Sequence, residues 1–261
     1  MVLARIIAVA NQKGGVGKTT TVVNLGACLA QAGQTTLLVD IDPQAHTTSG
    51  LGLVGRPGAT IYEVIVDDLP ADQAVVPAHV ANLHVLPANI DLAGAEVELV
   101  GMMAREHRLK RALEAIAGDY DFILIDCPPS LGLLTINALA AAHSVLVPIQ
   151  CEYYALEGLG QLMNTLALVR THLNPGLRLE GVLLTMFDGR TNLSIQVADE
   201  VKRHFRNQVF RTIIPRNVRL SEAPSHGQPI TLYDVRSRGA EVYKELAQEV
   251  IRRVKGQEAA G

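Results

Sequence analysis

A short apolar run, Ile6-Ile7-Ala8-Val9-Ala10, leads directly into Asn11-Gln12-Lys13-Gly14-Gly15-Val16-Gly17-Lys18-Thr19-Thr20, and a helix-forming stretch with Val22, Val23, Leu25, Ala27, Leu29 and Ala30 follows. A buried strand, a glycine-rich loop and a helix in that order leave few folds open, because the glycines must turn the backbone tightly onto a helix N-terminus. Short β-branched runs at 5–10, 35–41, 121–126, 144–149 and 179–186 alternate with segments of helical period at 18–32, 91–117, 132–142, 155–172, 192–206 and 239–255. The alternation predicts an α/β fold: a mostly parallel twisted sheet with helices on both faces. Ile123-Leu124-Ile125 and Val145-Leu146-Val147 have no polar alternate, as strands covered on both sides should. Ligands of such sheets bind at the C-terminal ends of the strands.

With 48% apolar and 19% charged residues, the 261-residue chain can bury an ordinary core without disulfides or structural metals. No linker, low-complexity tract or repeat marks a boundary, so one domain over 1–261 is expected, with a C-terminal helix at about 239–255 packed on the body. Cys28, Cys127 and Cys151 form no C-x-x-C pair, which suits a reducing cytosol. The apolar start is too short to span a membrane, so a cytoplasmic protein is expected. Charge is uneven: residues 190–261 carry 13 Lys and Arg against 8 Asp and Glu, while the chain as a whole is at −3. A polyanion would dock on that last quarter.

The loop chemistry is specific. Consecutive backbone N–H groups of Gly14, Gly15, Val16 and Gly17 can face one anion, with the positive end of the following helix behind them. Lys18 would place an ammonium on the β- and γ-phosphates of a nucleoside triphosphate, and the Thr19 hydroxyl would be a ligand of Mg²⁺, with Thr20 opening the helix beside them. Phe122-Ile123-Leu124-Ile125-Asp126 is an apolar strand ending in a carboxylate, where Asp126 would hold Mg²⁺ through its water shell. Thr36 to Gln44 ends another strand with Asp40 and Asp42; alternation puts both on one side only if the strand persists that far, and Pro43 signals that it does not. The eight histidines show no metal-binding spacing. The match to G-x-x-x-x-G-K-[ST] fails at one place, Gln12, where a glycine would stand.

That departure, together with Lys13, makes Lys13-Gly14-Gly15-Val16-Gly17-Lys18-Thr19 resemble the deviant Walker A loop of the ParA/MinD family of P-loop ATPases. The resemblance extends over nearly the whole chain. Asn11 to Thr20, Val39 to Gln44, Asp126-Cys127-Pro128-Pro129-Ser130, Cys151 to Gly158 and Thr212 to Gly227 look like the ParA/Soj-type chromosome-partitioning ATPases. It implies an ATPase with ATP and Mg²⁺ as ligands, in which Lys13 reaches the partner subunit's nucleotide in an ATP-dependent homodimer. Asp42 is implied to act on the attacking water, with Asp40 in the outer shell of the metal. The adenine is implied to lie around Met186, Pro215 and Asn217. A dimer of this kind would coat double-stranded DNA non-specifically, on the nucleoid, and be released when a ParB-like centromere-binding protein stimulates hydrolysis.

Between Arg190 and Arg219 lie seven Lys and Arg against only Asp199 and Glu200, with no series of stacking aromatics, which suits phosphate contact rather than base reading. The resemblance singles out Arg190 and Arg219 as DNA contacts, with Lys202 and Arg203 as neighbours. No helix-turn-helix precedes the loop, so operator binding is not expected. Two rivals share the signature lysine. A MinD-like cell-division regulator would dock on membrane through a C-terminal amphipathic helix, yet the stripe Tyr243, Leu246, Val250 and Val254 is followed by polar residues and has no Phe or Trp anchor, so no membrane partner is expected. An electron donor of the nitrogenase iron-protein type would need cysteines placed for a shared cluster, which Cys127 and Cys151 are not.

Overall fold

The computed structural model describes residues 4–55, 58–152 and 157–258. Among the described residues, seven strands form one sheet: β1 (Arg5–Val9), β2 (Thr36–Asp40), β3 (Val76–Pro77), β4 (Leu83–Leu86), β5 (Phe122–Asp126), β6 (Ser144–Gln150) and β7 (Arg178–Thr185), in the order β3-β4-β2-β5-β1-β6-β7. All neighbours are parallel except β3, which pairs antiparallel with β4 at the edge. The helices are α1 (Lys18–Gln31), α2 (His46–Gly50), α3 (Ile61–Val66), α4 (Leu92–Glu98), α5 (Arg108–Glu114), α6 (Leu133–Ala141), α7 (Glu157–His172), α8 (Asn192–Phe205), α9 (Val218–Glu222), α10 (Ile230–Tyr233) and α11 (Arg238–Glu258), with several single 3₁₀ turns.

The unbroken apolar strands divide their side chains between two cores. Ile6, Ala8, Leu37, Val39, Ile123, Ile125, Val145 and Val147 face one, with Leu92, Leu109, Leu134 and Leu162 from helices. Ile7, Val9, Leu38, Leu124 and Leu146 face the other, with Leu25 and Leu29 of α1 and Leu246 and Val250 of α11. This period-2 division is why neither face of a strand could afford a polar residue. Gly26 brings α1 onto β2: a Cβ there would collide with the Leu38 side chain.

Tyr243 of α11 is fully buried, and its hydroxyl lies 3.3 Å from Thr21 Oγ1, which in turn donates to the Gly17 carbonyl at 2.7 Å. The C-terminal helix is thereby tied to the first turn behind the glycine loop. Tyr243→Phe is expected to cost about 1 kcal/mol in a urea titration, the net worth of one buried hydrogen bond.

The structure revises one sequence expectation, adds two strands and fixes one boundary. The helical stretch 91–117 is not one helix: Met102 is extended and Ala104 is left-handed (φ 50°), so α4 and α5 are separate, joined by 3₁₀ turns. Periodicity records which residues are buried, and two short helices on one core keep the same period as one long one. The edge strands β3 and β4 were not anticipated, because two and four residues beside prolines carry too little pattern. The strand at 35–41 ends at Asp40, so Asp42 lies beyond it on the turn. Residues 155 and 156 of the helical stretch 155–172, and 153–156 of the resembling segment 151–158, lie outside the described residues.

Candidate functional site

The glycine loop leaves the C-terminal end of β1, which sits between β5 and β6, the place where strand order reverses and a crevice must open. Asn11 sets the start: its amide donates to the Pro148 carbonyl at 2.7 Å while its Oδ1 accepts from the Lys13 N–H at 3.0 Å. Gly15 and Gly17 take left-handed φ of 73° and 87°, a conformation that a side chain disfavours. Val16 is buried, and its carbonyl accepts the Thr185 hydroxyl of β7 at 2.9 Å, fastening the crown of the loop to the sheet. Lys18, 7% exposed, folds back so that Nζ donates to the Lys13 carbonyl at 3.2 Å. Burial lowers its pKa against the opposing pull of Asp126, Cys127 and Asp42. The Lys13 side chain is half-buried and has no ion pair among the described residues.

β2 and β5 are neighbours in parallel register with Asp40 opposite Asp126, so two fully buried carboxylates meet at one sheet edge. Burial raises both pKa values, and for Asp40 the charge of Asp126 adds to the effect. Their hydrogen bonds differ. Asp40 Oδ2 accepts the Thr48 N–H at 2.8 Å and the Thr48 hydroxyl at 2.7 Å, and Oδ1 accepts the Asp42 N–H at 3.3 Å, so Asp40 clamps the start of α2. Asp126 Oδ2 accepts the Thr47 hydroxyl at 2.8 Å, and the nearby Thr19 and Thr47 hydroxyls work against the burial that raises its pKa, but Oδ1 is buried with no partner among the described residues. A buried anionic oxygen without a donor costs free energy unless something fills its place. Together with the Thr19 hydroxyl it makes an all-oxygen donor set, which fits a hard cation such as Mg²⁺.

Asp42, 7% exposed, is braced by the Gln44 N–H, which donates to its Oδ1 at 3.0 Å. A cavity of about 430 Å³ gathers Gly14, Gly15, Gly17, Lys18, Thr19, Thr20 and Asp42 with Met186, and with Gln44, His46 and Pro129. Met186 is held in the left-handed region (φ 50°) just past β7. Pro215 bridges to Phe187 beside it, while Asn217 caps α9, its Oδ1 accepting the Arg219 N–H at 2.9 Å. Neither Pro215 nor Asn217 lines this cavity. Thr19, Thr20 and His46 also line an adjoining cavity of about 220 Å³ with Pro224 and Gln228.

Thr47, Thr48 and Thr185 escaped the sequence reading, since a lone threonine bears no pattern until its carboxylate or carbonyl partner is placed. The only local signal was that Thr47 and Thr48 follow Asp42-Pro43-Gln44 by a few residues.

The basic positions are dispersed over three elements. Arg190 is 88% exposed in side chain and pairs with Asp188 at 2.7 Å, in the turn before α8. Lys202 and Arg203 lie in the last turn of α8, where Arg203 reaches Glu200 at 3.1 Å. Arg219 in α9 pairs with Glu222 at 2.8 Å and Asp234 at 3.6 Å.

Comparison with known proteins places this geometry in a family. The model described as an AAA domain matches residues 4–179. The chain is 64% identical over 249 residues to the sporulation initiation inhibitor protein Soj of Bacillus subtilis, covering 95% of this chain and 98% of that protein. It is 57% identical to the chromosome partitioning protein ParA of Myxococcus xanthus, covering 96% and 89% of the two chains. Among solved structures, a cobyrinic acid a,c-diamide synthase from Mycobacterium smegmatis with bound ADP and magnesium superposes with a TM-score of 0.84 at 42% identity, over 97% of this chain and 96% of the other. A glycine loop at the sheet's switch point, two facing strand-end carboxylates and full-length similarity agree: the chain belongs to the Soj/ParA family of chromosome-partitioning ATPases.

Proposed function

We propose that this chain is an ATP-switched DNA-partition protein: it dimerises on Mg-ATP, binds duplex DNA without sequence preference, and lets go when a ParB-like partner stimulates hydrolysis. The observation that carries the reading is the cavity in which the glycine loop, Lys18, Thr19 and Asp42 converge beside buried Asp126.

The loop N–H groups and Lys18 bind and orient the triphosphate of ATP, whose γ-phosphate replaces the Lys13 carbonyl as the partner of Nζ. Asp126 and Thr19 would hold Mg²⁺, which neutralises phosphate charge as it develops. Asp42 holds the attacking water in line, and the Gln44 N–H fixes its carboxylate. Lys13, unpaired in side chain among the described residues, supplies a cation to the partner subunit's nucleotide. A site completed only by a second copy is off until ATP assembles the dimer, so nucleotide state and DNA affinity become one switch.

Three other readings meet specific obstacles. Membrane docking through the C-terminal helix would need its apolar stripe free, yet Tyr243, Leu246, Val250 and Val254 are all buried, and no helix among the described residues is long and apolar enough to cross a membrane. Amide synthesis from glutamine, or thiolate ligation of a cluster, would need a reactive thiol. All three cysteines are buried, and burial pushes Cys28 to about 12, Cys151 to about 11 and Cys127 higher still.

The deciding measurement is duplex-DNA binding with ADP, ATP and a slowly hydrolysed analogue. Binding that needs the triphosphate and ignores sequence supports the switch, and binding indifferent to nucleotide sinks it. Arg219→Ala should keep ATP binding but weaken DNA binding, with a log–log salt slope shallower by about 0.9 for one lost phosphate contact. An unchanged slope in the folded variant removes Arg219 from the interface.

A further inference from the structure

A cavity of about 740 Å³ lies at the start of β7, at the opposite ends of the strands from the glycine loop. Leu179, Glu180, Val209, Glu249 and Arg253 line it, and Arg206, Arg211 and Arg252 stand around it. Its two carboxylates are already engaged. Glu180 Oε2 accepts the Arg5 guanidinium at 2.8 Å and the Ser144 hydroxyl at 2.7 Å, while its Oε1 is buried without a hydrogen-bond partner among the described residues. Glu249 accepts the Arg211 and Thr212 N–H groups at 2.9 Å each, the Thr212 hydroxyl at 2.8 Å and Arg253 at 2.9 Å. Burial would push the Glu249 carboxyl up, but these hydrogen bonds outweigh it and hold it below the ordinary glutamate value.

Arg253 is equally occupied. Its guanidinium donates to the carbonyls of Glu180 at 3.1 Å and Val209 at 2.9 Å, and stacks over Phe210 with 4.0 Å to the ring centre. Gly181 makes this possible: a Cβ there would meet Phe210 at 2.7 Å, Arg253 at 2.8 Å and the Gln208 carbonyl at 2.8 Å. The floor of the cavity is thus rigid and internally neutralised.

The rim is not. Arg206 and Arg211, from the segment after α8, and Arg252 of α11 are exposed and have no carboxylate within ion-pair distance among the described residues. Arg206 is held at the end of α8 in a left-handed φ of 49°, one turn after Lys202 and Arg203. An adjoining groove of about 610 Å³ shares Arg211 and Arg252 and adds Lys244 and Gln248; its Glu241 and Glu245 are both taken by Arg238, at 2.6 and 3.5 Å. Arg190, Arg203 and Arg219, by contrast, each already have an acidic partner.

We infer that the groove rimmed by Arg206, Arg211 and Arg252 is a phosphate track for the DNA backbone, continuing from Lys202 and Arg203 past the end of α8. Three uncompensated guanidinium forks over a neutral, rigid floor match phosphodiester oxygens and offer nothing that reads a base edge. This rests on the DNA-binding reading above and places its strongest contacts on arginines that have no carboxylate within ion-pair distance among the described residues, the groove's glutamates being held by other partners.

The test compares wild type, R206A/R211A/R252A and R206K/R211K/R252K in ATP-dependent duplex binding over a salt series, with ATP turnover without DNA and thermal melting as checks on the fold. The alanine variant is expected to keep turnover and melting, bind DNA about tenfold or more weakly, and show a salt slope shallower by about 2–3, while the lysine variant keeps most of the affinity. Wild-type affinity and slope in the alanine variant overturn the groove assignment. A wild type that binds no DNA with ATP overturns the DNA reading itself. Loss of inorganic polyphosphate binding with DNA binding intact overturns the duplex as its ligand in favour of a small polyanion.

Discussion

Asp42→Ala is expected to bind Mg-ATP with near wild-type affinity and turn it over roughly 10²–10⁴-fold more slowly, the range for removing one positioned acid–base group. Asp42 meets the cavity, and among the described residues its carboxylate accepts the Gln44 N–H and shares no hydrogen bond with the loop. Its loss should spare the phosphate cradle. Lys18→Ala, in the same assay, should lose nucleotide affinity as well, because Lys18 is itself part of the cradle. Single-turnover hydrolysis alongside equilibrium binding separates the two, and normal turnover in Asp42→Ala would remove it from the chemistry. On the partition reading the same variant stays on DNA after wild type has released, a second readout that a merely unstable protein would not give.

Gly227→Ala is expected to destabilise the fold by about 2–5 kcal/mol, combining left-handed backbone strain with overpacking. Gly227 has a φ of 63°, and a Cβ there would lie 2.7 Å from Gly52 Cα and 3.0 Å from Gly52 N, both backbone atoms that cannot rotate away. Gly52→Ala is the control. It has a similar φ of 69°, but its Cβ would meet Gly227 no closer than 3.4 Å, so about 1–2 kcal/mol of strain is expected alone. Urea midpoints at unchanged slope measure both. Equal losses would show that the close approach of the two backbones carries no energy. This contact also sets α2 against the 223–226 turn, beside the cavity shared by Thr19 and His46, so Gly227→Ala should raise the KM for ATP even where it remains folded.

Much of the site was legible in the linear sequence because its chemistry needs particular residue types at fixed local spacing. On the proposed reading, glycines take the left-handed turns at 15 and 17, a lysine and a hydroxyl serve at 18 and 19, and a buried strand-end carboxylate serves at 126. The central strands were equally legible, since burial on both faces forbids polar alternates in β1, β5 and β6. What pattern could not reach was pairwise and distant. That Asp40 stands opposite Asp126 follows from β2 and β5 being neighbours, and that Thr47, Thr48 and Thr185 brace the site follows from where their partners lie. Charge tells the same story. The sequence showed an excess of Lys and Arg from residue 190 on, but only the packed structure decided which of those charges are neutralised by Asp188, Glu200 or Glu222 and which, at the rim of a groove, have no acidic partner among the described residues. Local residue chemistry is written along the chain; the compensation of one charge by another depends on distances that exist only once the chain has folded.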